Sequence, residues 1–352
     1  MEPETINKTS KRKKSAKIKK KNIIIIIALL AIITPIVIII SFSEKTYLPV
    51  FQQDTLSSLR KVDNHPLYTM NYYGDYGFED YLETGEFGST QKILNNNWAC
   101  TCFATLNNQT DMLFGRNFDW SHRPALILYT NPPNGYKSIS MVDLGFLGFY
   151  NDYQISQQPI ENLQDLLRSP YFLLDGMNEF GLTIGCMAIS NAENVIDPEK
   201  VTLGSLSFMR LVLDYAINID EALDLWDNYN VYFPPGPDLH YLIADATGNS
   251  AVIEWIGGEM IILRNEHMWQ VSTNFVIYGS TNSTKQGCSR YITCESVLSD
   301  KEGNINPIEA LNLLETVSQS STQWSVVYNM QKKEVRLVMG RNYDYPIHEF
   351  SL

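Results

Sequence analysis

The chain has 352 residues, of which 44% are hydrophobic and 12% aromatic, and its formal net charge is −12. That length and composition can bury a substantial core, which excludes a disordered or fibrous protein. Nine of the 27 basic residues but only two of the 39 acidic ones lie in the first 22 positions, which leaves 18 basic against 37 acidic residues after them. So acidic a body argues against a nucleic-acid partner, because phosphates would be repelled.

The N-terminal region combines a basic tail, residues 1–22, with an almost wholly apolar run, residues 23–42. Twenty helical residues rise about 30 Å, which is enough to cross the hydrocarbon layer. A signal peptide is the alternative, but its apolar core is usually only about 7–15 residues long. We therefore predict an uncleaved membrane anchor, with the tail in the cytoplasm and everything after the span outside.

Residues 43–99 show no long periodic apolar pattern, and we interpret them as a linker with a small accessory segment. Short strands separated by turn signals follow, and the pattern predicts them at 100–106, 112–116, 240–244, 250–255, 259–263 and 269–273. Helices are predicted at 161–168, 205–218, 221–226 with Asp220 as N-cap, and 308–317. The mixture predicts an α+β fold with mainly antiparallel strands.

Five cysteines are an odd number for an exported protein, so at least one thiol should be unpaired. Cys102 and Cys186 are expected in the core, with Cys102 pointing away from Cys100. Cys288 and Cys294 either pair with each other or stay reduced. The five histidines form no metal-ligand spacing, and we expect neither a metal nor a cofactor.

One cluster of residues suggests chemistry. Cys100 opens a predicted strand, and the return strand should bring Arg116 and Asp119 back beside it. An arginine near a thiol favours the thiolate, and a carboxylate can orient an amine. Taken alone, the same pattern also fits an ordinary pair of surface charges.

Longer strings make the pattern more specific. Cys100-Thr101 is followed sixteen residues after the cysteine by the arginine of a Gly-Arg-Asn-x-Asp string, and further strings stand at 175–182, 239–248, 272–274 and 289–291. Together, and in this order, they resemble choloylglycine hydrolases. That family includes bile salt hydrolases and penicillin V acylases, with acid ceramidase and N-acylethanolamine acid amidase as relatives. The resemblance covers residues 100 to about 290.

The resemblance implies a fold and a set of roles. The fold is the four-layer αββα sandwich of N-terminal-nucleophile hydrolases, formed here by residues 100–352. Cys100 would be the nucleophile, with Arg116 and Asp119 flanking its thiol and amine. Asn274 would supply an oxyanion donor, and Arg290 would complete the charged ring.

A second oxyanion donor would be the backbone N–H near Ala188. Bile salt hydrolases usually carry asparagine there, so bile-salt specificity is in doubt. Because Cys100 needs a free amine, residues 43–99 would be a linker and propeptide removed by autoproteolysis after Ala99. Cleavage would release the enzyme unless the propeptide stays bound.

The predicted reaction is hydrolysis of a non-peptide linear amide, such as an N-acyl amine or N-acyl amino acid. Phe146 and Phe149 are candidates for lining an apolar acyl pocket, and the sequence leaves room for a homo-oligomer. Two alternatives stay open: a papain-like pair of Cys100 with His240, and a membrane-anchored extracellular binding module without catalysis.

Overall fold

The computed structural model describes residues 48–85, 99–152, 154–234, 236–344 and 346–352. Within these ranges no helix is both long and apolar enough to cross a membrane. The basic tail predicted at 1–22 and the span predicted at 23–42 lie outside the described residues. Val50–Leu352 form one compact unit.

Two large sheets build this unit. The larger one has nine strands, in the spatial order β1 (Arg60–Asp63), β2 (Leu67–Tyr72), β5 (Ala125–Thr130), β6 (Ser138–Asp143), β7 (Leu173–Asn178), β8 (Thr183–Ala188), β11 (Leu239–Ala244), β12 (Ser250–Ile256) and β13 (Glu259–Arg264). The smaller one has six, in the order β14 (Trp269–Ser272), β3 (Ala99–Thr105), β4 (Leu113–Asp119), β15 (Thr322–Asn329), β16 (Glu334–Met339) and β17 (His348–Ser351).

Helices flank the sheets. They are α1 (Val50–Ser57), α2 (Phe78–Thr84), α3 (Ser205–Tyr215), α4 (Ile219–Trp226), α5 (Asn282–Gln286), α6 (Ser289–Asp300) and α7 (Pro307–Thr316). Strand β3 of the smaller sheet contacts β8 of the larger one, so the sheets pack face to face. Helix α3 packs on β7 and β8, while α6 and α7 pack on β14, β3, β4 and β15. An apolar core therefore lies beneath α6 and α7, built around Phe103, Leu298 and Leu314.

Strand pairing is mainly antiparallel, as predicted. Among the described strands, β2 pairs in parallel with β5, and β9 (Val201–Gly204) pairs in parallel with β10 (Tyr229–Tyr232) in a separate small sheet. All six predicted strands are confirmed, as β3, β4, β11, β12, β13 and β14. Gly257 and Gly258 form the two-residue turn between β12 and β13, and both have positive φ, as a type I′ turn requires.

Three helix predictions need correction. Residues 161–168 form no α-helix but two 3₁₀ segments, Ile160–Asn162 and Gln164–Tyr171, and Pro170 within the second has no N–H to donate to a helical bond. Helix α3 ends at Tyr215, before the predicted residue 218. The N-cap of α4 is Asn218 rather than Asp220, since the Asn218 side chain accepts from the Glu221 N–H.

The segment before Cys100 contributes to the folded unit. Residues 43–99 were interpreted above as linker and propeptide, and their described part contains α1, β1, β2 and α2. Strand β2 pairs with β5 along all six of its residues. The accessory segment is thus part of the larger sheet, and its removal as a propeptide stays a prediction.

Candidate active site

The site begins at the β3–β4 hairpin. Antiparallel pairing sets Cys102 opposite Arg116 and Ala99 opposite Asp119. Cys100, one residue into β3, is paired with Phe118 and is wholly buried. The hairpin thus brings the predicted arginine and carboxylate back to the start of β3, as the spacing of the sequence indicates.

Three polar side chains meet Cys100. Its backbone N–H donates to Asn274 Oδ1 at 2.6 Å, and its sulfur accepts from Arg116 Nη2 at 3.5 Å. Its carbonyl oxygen accepts from Arg290 Nη1. The backbone of Cys100 is therefore held by Asn274 and Arg290, and its thiol by Arg116 on the neighbouring strand.

Arg116 is a buried cation between the two sheets. Its Nε lies 3.0 Å from Asp175 Oδ2, an ion pair in which both side chains are fully buried. Its Nη1 donates to the Cys186 carbonyl. A Cβ at Gly185 would approach Arg116 Nη1 to 3.0 Å, so a glycine on β8 makes room for the guanidinium.

Cys102 departs from expectation. Arg116 contacts both thiols, donating from Nη2 to Cys100 and from Nη1 to Cys102 at 3.6 Å. The expectation that Cys102 points away from Cys100 is wrong, because residues two apart on a strand share a face. All five cysteines are free thiols, so the alternative disulfide between Cys288 and Cys294 is not formed.

Asp119 ends β4 with a buried carboxylate. Its Oδ2 accepts from Gln319 Nε2 at 2.8 Å, and its Oδ1 accepts from the Thr322 hydroxyl. Burial raises the pKa of Asp119, while these two bonds and the nearby arginines act in the opposite direction. The carboxylate lies at the edge of the hairpin, across from Ala99.

Asn274 joins three parts of the site. Its Oδ1 accepts from Arg290 Nη2 at 3.0 Å as well as from Cys100, while its Nδ2 donates to the Ala188 carbonyl at 2.8 Å. Arg290, in the first turn of α6, also donates to Thr101 Oγ1 at 3.0 Å. The structure thus brings Asn274, Arg290 and Ala188 together at Cys100, and their catalytic roles stay predictions.

Opposing effects act on the Cys100 thiol. Burial raises its pKa to about 11, although Arg116 and Arg290 favour the thiolate. Asp119 adds to the rise through its charge. In the uncleaved chain the thiol is therefore held protonated at neutral pH.

The papain-like alternative is not supported by the geometry. Both ring nitrogens of His240 are engaged elsewhere: Nδ1 lies 2.9 Å from Glu254 Oε1 and Nε2 lies 2.6 Å from the Thr273 carbonyl oxygen. No ring nitrogen is left to take a proton from Cys100.

The residues predicted for an acyl pocket lie on and beside a 3₁₀ segment, Leu144–Leu147. Phe146 is buried, with its ring 6.5 Å from that of Phe172, and Phe149 is half-buried. Their part in substrate binding stays a prediction. Across the described ranges, no three His, Cys, Asp or Glu side chains group as a metal site.

Sequence reasoning missed two residues around the site. Asp175 was quoted only within a string, although a carboxylate in the otherwise buried strand β7 needs a cationic partner. Glu254 is likewise a carboxylate within a largely apolar, buried strand, β12. The partner of Asp175 could not be named, because Arg116 lies on a strand of the other sheet. The partner of Glu254, His240, lies on the neighbouring strand β11, and it was considered only as a partner for Cys100.

Comparison with known proteins identifies the class. A sequence model described as linear amide C-N hydrolases, choloylglycine hydrolase family, matches residues 100–282, which is just over half of the chain. The match makes the chain an amidohydrolase that acts on linear amides. The chain belongs to the choloylglycine hydrolase family.

Solved structures share the fold. Penicillin V acylase from Agrobacterium tumefaciens superposes with a TM-score of 0.50 at 17% identity, over 72% of this chain and 86% of that one. A mutant conjugated bile acid hydrolase from Clostridium perfringens gives 0.52 at 16% identity, over 72% and 92%. An uncharacterized protein of Paramecium bursaria Chlorella virus 1 is 32% identical over 102 residues, and the match spans 37% of its length and 26% of this chain.

Proposed function

We propose that the protein hydrolyses non-peptide linear amides with the thiolate of Cys100, after the same thiol has cut the bond between Ala99 and Cys100. The observation that carries this proposal is the set of contacts from Asn274, Arg290 and Arg116 to the N–H, carbonyl and sulfur of Cys100. A buried cysteine that acts only as a small apolar side chain needs no such partners.

Self-cleavage would proceed through a thioester. The Cys100 sulfur attacks the Ala99 carbonyl carbon, the C–N bond breaks, and the nitrogen becomes the α-amino group of Cys100. Water then hydrolyses the thioester, which yields a carboxylate at Ala99 and restores the thiol.

The mature reaction uses the new amine as base. A free α-amino group has an ordinary pKa of about 7.7–8.0, so it can take the thiol proton at neutral pH. The thiolate attacks the substrate carbonyl, the amine product leaves with a proton, and water hydrolyses the acyl thioester. Arg116 would favour the thiolate, and Asp119 would hold the ammonium.

Two donors would stabilise the oxyanion: Asn274 Nδ2 and the backbone N–H of Ala188. The bond from Asn274 Nδ2 to the Ala188 carbonyl supports this pairing, since it brings the two residues together. One such donor is typically worth about 2.7–4 kcal/mol in the transition state.

The substrate we propose is an N-acyl amine, an N-acyl amino acid or a similar amide. Two solved neighbours are named as a penicillin V acylase and a conjugated bile acid hydrolase, which fits an acyl group joined to an amine. Phe146 and Phe149 would line the acyl site. Replacing both with alanine should change the preferred acyl chain length, and an unchanged preference would rule them out.

The wider organisation we propose keeps the four-layer αββα sandwich as catalytic domain, with the helices outside the two sheets. Residues 23–42 would anchor it to a membrane, with residues 1–22 in the cytoplasm and the catalytic domain outside. Neither a cofactor nor a nucleic acid enters this scheme. A homo-oligomer is compatible with it.

The decisive experiment is intact mass and N-terminal sequencing of the purified chain, for wild type and Cys100→Ala. The wild type should yield a fragment of residues 100–352 beginning Cys-Thr-Cys, about 29 kDa by proportion from 40.2 kDa, and the variant should stay whole. Cys102→Ala is the matched control: it changes a thiol on the same arginine and should still be cut. If the wild type also stays whole, a binding module without catalysis becomes the better reading.

A further inference from the structure

The loop that carries Asn274 has no regular secondary structure of its own. Strand β14 ends at Ser272 and α5 begins at Asn282, so the intervening backbone lacks ladder and helix hydrogen bonds. Asn274 must nevertheless sit within hydrogen-bond distance of Cys100 and of Ala188 at once. Something outside the loop has to fix its path.

Glu254 supplies the first hold. It is fully buried on β12, and its carboxylate accepts from two loop amides: Oε1 from the Ile277 N–H at 2.8 Å and Oε2 from the Tyr278 N–H at 2.9 Å. Two parallel bonds from one carboxylate fix the direction as well as the position of that backbone. The far end of the loop is therefore tied to the larger sheet.

His240 supplies the second hold. It lies on β11, fully buried, with Nε2 at 2.6 Å from the Thr273 carbonyl oxygen and Nδ1 at 2.9 Å from Glu254 Oε1. The two holds bracket residues 273–278, with Asn274 between them. One connected pair of side chains thus grips both ends of the loop.

The bonding of the pair sets its geometry. A backbone carbonyl oxygen and a carboxylate oxygen lie at the two ring nitrogens of His240, so the ring is fixed from both sides. Burial alone would raise the pKa of Glu254, but the bonds from His240, Ile277 and Tyr278 hold it below its ordinary value. A buried carboxylate held by three hydrogen-bond partners is restricted to one geometry.

We propose that Glu254, together with His240, is the positioning residue that holds Asn274 against Cys100 for catalysis. This inference rests on the proposed function. Neither side chain touches the reacting atoms; they act through the backbone of the Asn274 loop.

The test variant is Glu254→Gln in the full-length chain. It keeps the size of the side chain but turns one acceptor into a donor, so at least one loop N–H loses its partner. We expect kcat on an amide substrate to fall roughly 10- to 100-fold with KM within about twofold, because an oxyanion donor acts mainly in the transition state. Hydrogen exchange of the 273–278 amides should accelerate in a Cys100→Ala background.

The matched control is Asp214→Asn. Asp214 is also a fully buried carboxylate, paired at 3.0 Å with Arg210 on α3, and it lies outside the site. It should lower the unfolding temperature without reducing kcat. If Glu254→Gln fails to fold, His240→Gln takes its place with the same two readouts.

The outcomes separate the claims. A fall in kcat with faster exchange of the loop, beyond anything seen for Asp214→Asn, supports positioning. Unchanged exchange, or a kcat no lower than that of the control, overturns it. If the wild type neither cleaves itself nor hydrolyses any amide, the proposed function is wrong. Hydrogen exchange of the 273–278 amides in the Cys100→Ala chain then still shows whether Glu254 holds the loop.

Discussion

At the scale of single residues, Arg116 is the centre of the site. It lies on the strand paired with that of Cys100 and touches two thiols, one backbone carbonyl and the Asp175 carboxylate, all without access to water. A cation there counteracts the burial that raises the pKa of Cys100. Its own burial is tolerated because Asp175 neutralises it.

Asp175→Asn should therefore be strongly destabilising. It leaves the Arg116 charge buried and unpaired, which typically costs about 3–5 kcal/mol. Denaturant unfolding measures the loss. The control is Asp220→Asn, which breaks an exposed ion pair with Arg264 and should change the free energy of unfolding by less than about 1 kcal/mol. Equal losses of unfolding free energy in the two variants would show that Asp175 does not neutralise a buried charge on Arg116.

The raised pKa of Cys100 leads to a second prediction: before cleavage, its thiol should react slowly with alkylating agents. With a pKa of about 11, roughly one Cys100 in a thousand is a thiolate at pH 8. Brief alkylation at pH 8 of the uncleaved chain, isolated by size, should modify the half-exposed Cys288 first. Peptide mass spectrometry follows both sites, and Cys288→Ser should remove the fast phase. Faster labelling of Cys100 would mean that the site is open before cleavage.

At the scale of elements, helix α7 supports the β3–β4 hairpin by packing on β4 and on its neighbour β15. Its start is fixed by a capping box: Asn306 Oδ1 accepts from the Ile308 and Glu309 N–H groups at 2.9 and 3.0 Å, and the Glu309 carboxylate accepts in return from the Asn306 N–H. Three backbone donors at the start of the helix are thereby satisfied.

Asn306→Ala should cost about 1 kcal/mol of unfolding free energy, because the cap is lost while no buried volume changes. Asn312→Ala is the matched control, since it removes an exposed asparagine from the middle of the same helix. There the change should be neutral or slightly stabilising, as alanine is the better helix former. Thermal or chemical unfolding measures the stability of both variants. Similar losses of unfolding free energy would show that the Asn306 cap does not stabilise the helix.

The elements also show what sequence could and could not predict. Strands β11 to β13 alternate with clear turn signals and were placed within two residues. Strands β5 and β6 and helix α6 were not assigned, since β5 and β6 are buried on nearly every residue and α6 mixes polar and β-branched positions. At the site, Arg116 and Asp119 followed from hairpin spacing. The contacts of Asp175 and Glu254 did not, because they reach a strand of the other sheet and a loop beyond β13.

At the scale of the whole molecule, the segment before Cys100 is built into the catalytic unit. Tyr76 donates to the buried Asp214, and the Tyr81 hydroxyl accepts from the Gly204 N–H at 2.8 Å. Leu67 and Phe78 are buried almost completely. Each large apolar side chain fully buried contributes about 1.5–3 kcal/mol, so these contacts together oppose dissociation.

We therefore predict that cleavage after Ala99 does not release the catalytic fragment. Both polypeptides should co-elute in size-exclusion chromatography at neutral pH and separate only on unfolding. Phe78→Ala should promote separation, because removing a buried aromatic ring typically costs about 3–5 kcal/mol, whereas Tyr73→Ala, at an exposed position, should not. Elution of residues 100–352 alone would make the segment a discarded propeptide. Retention would instead keep the nucleophile joined, through β2 and β5, to the chain that carries the proposed anchor at residues 23–42.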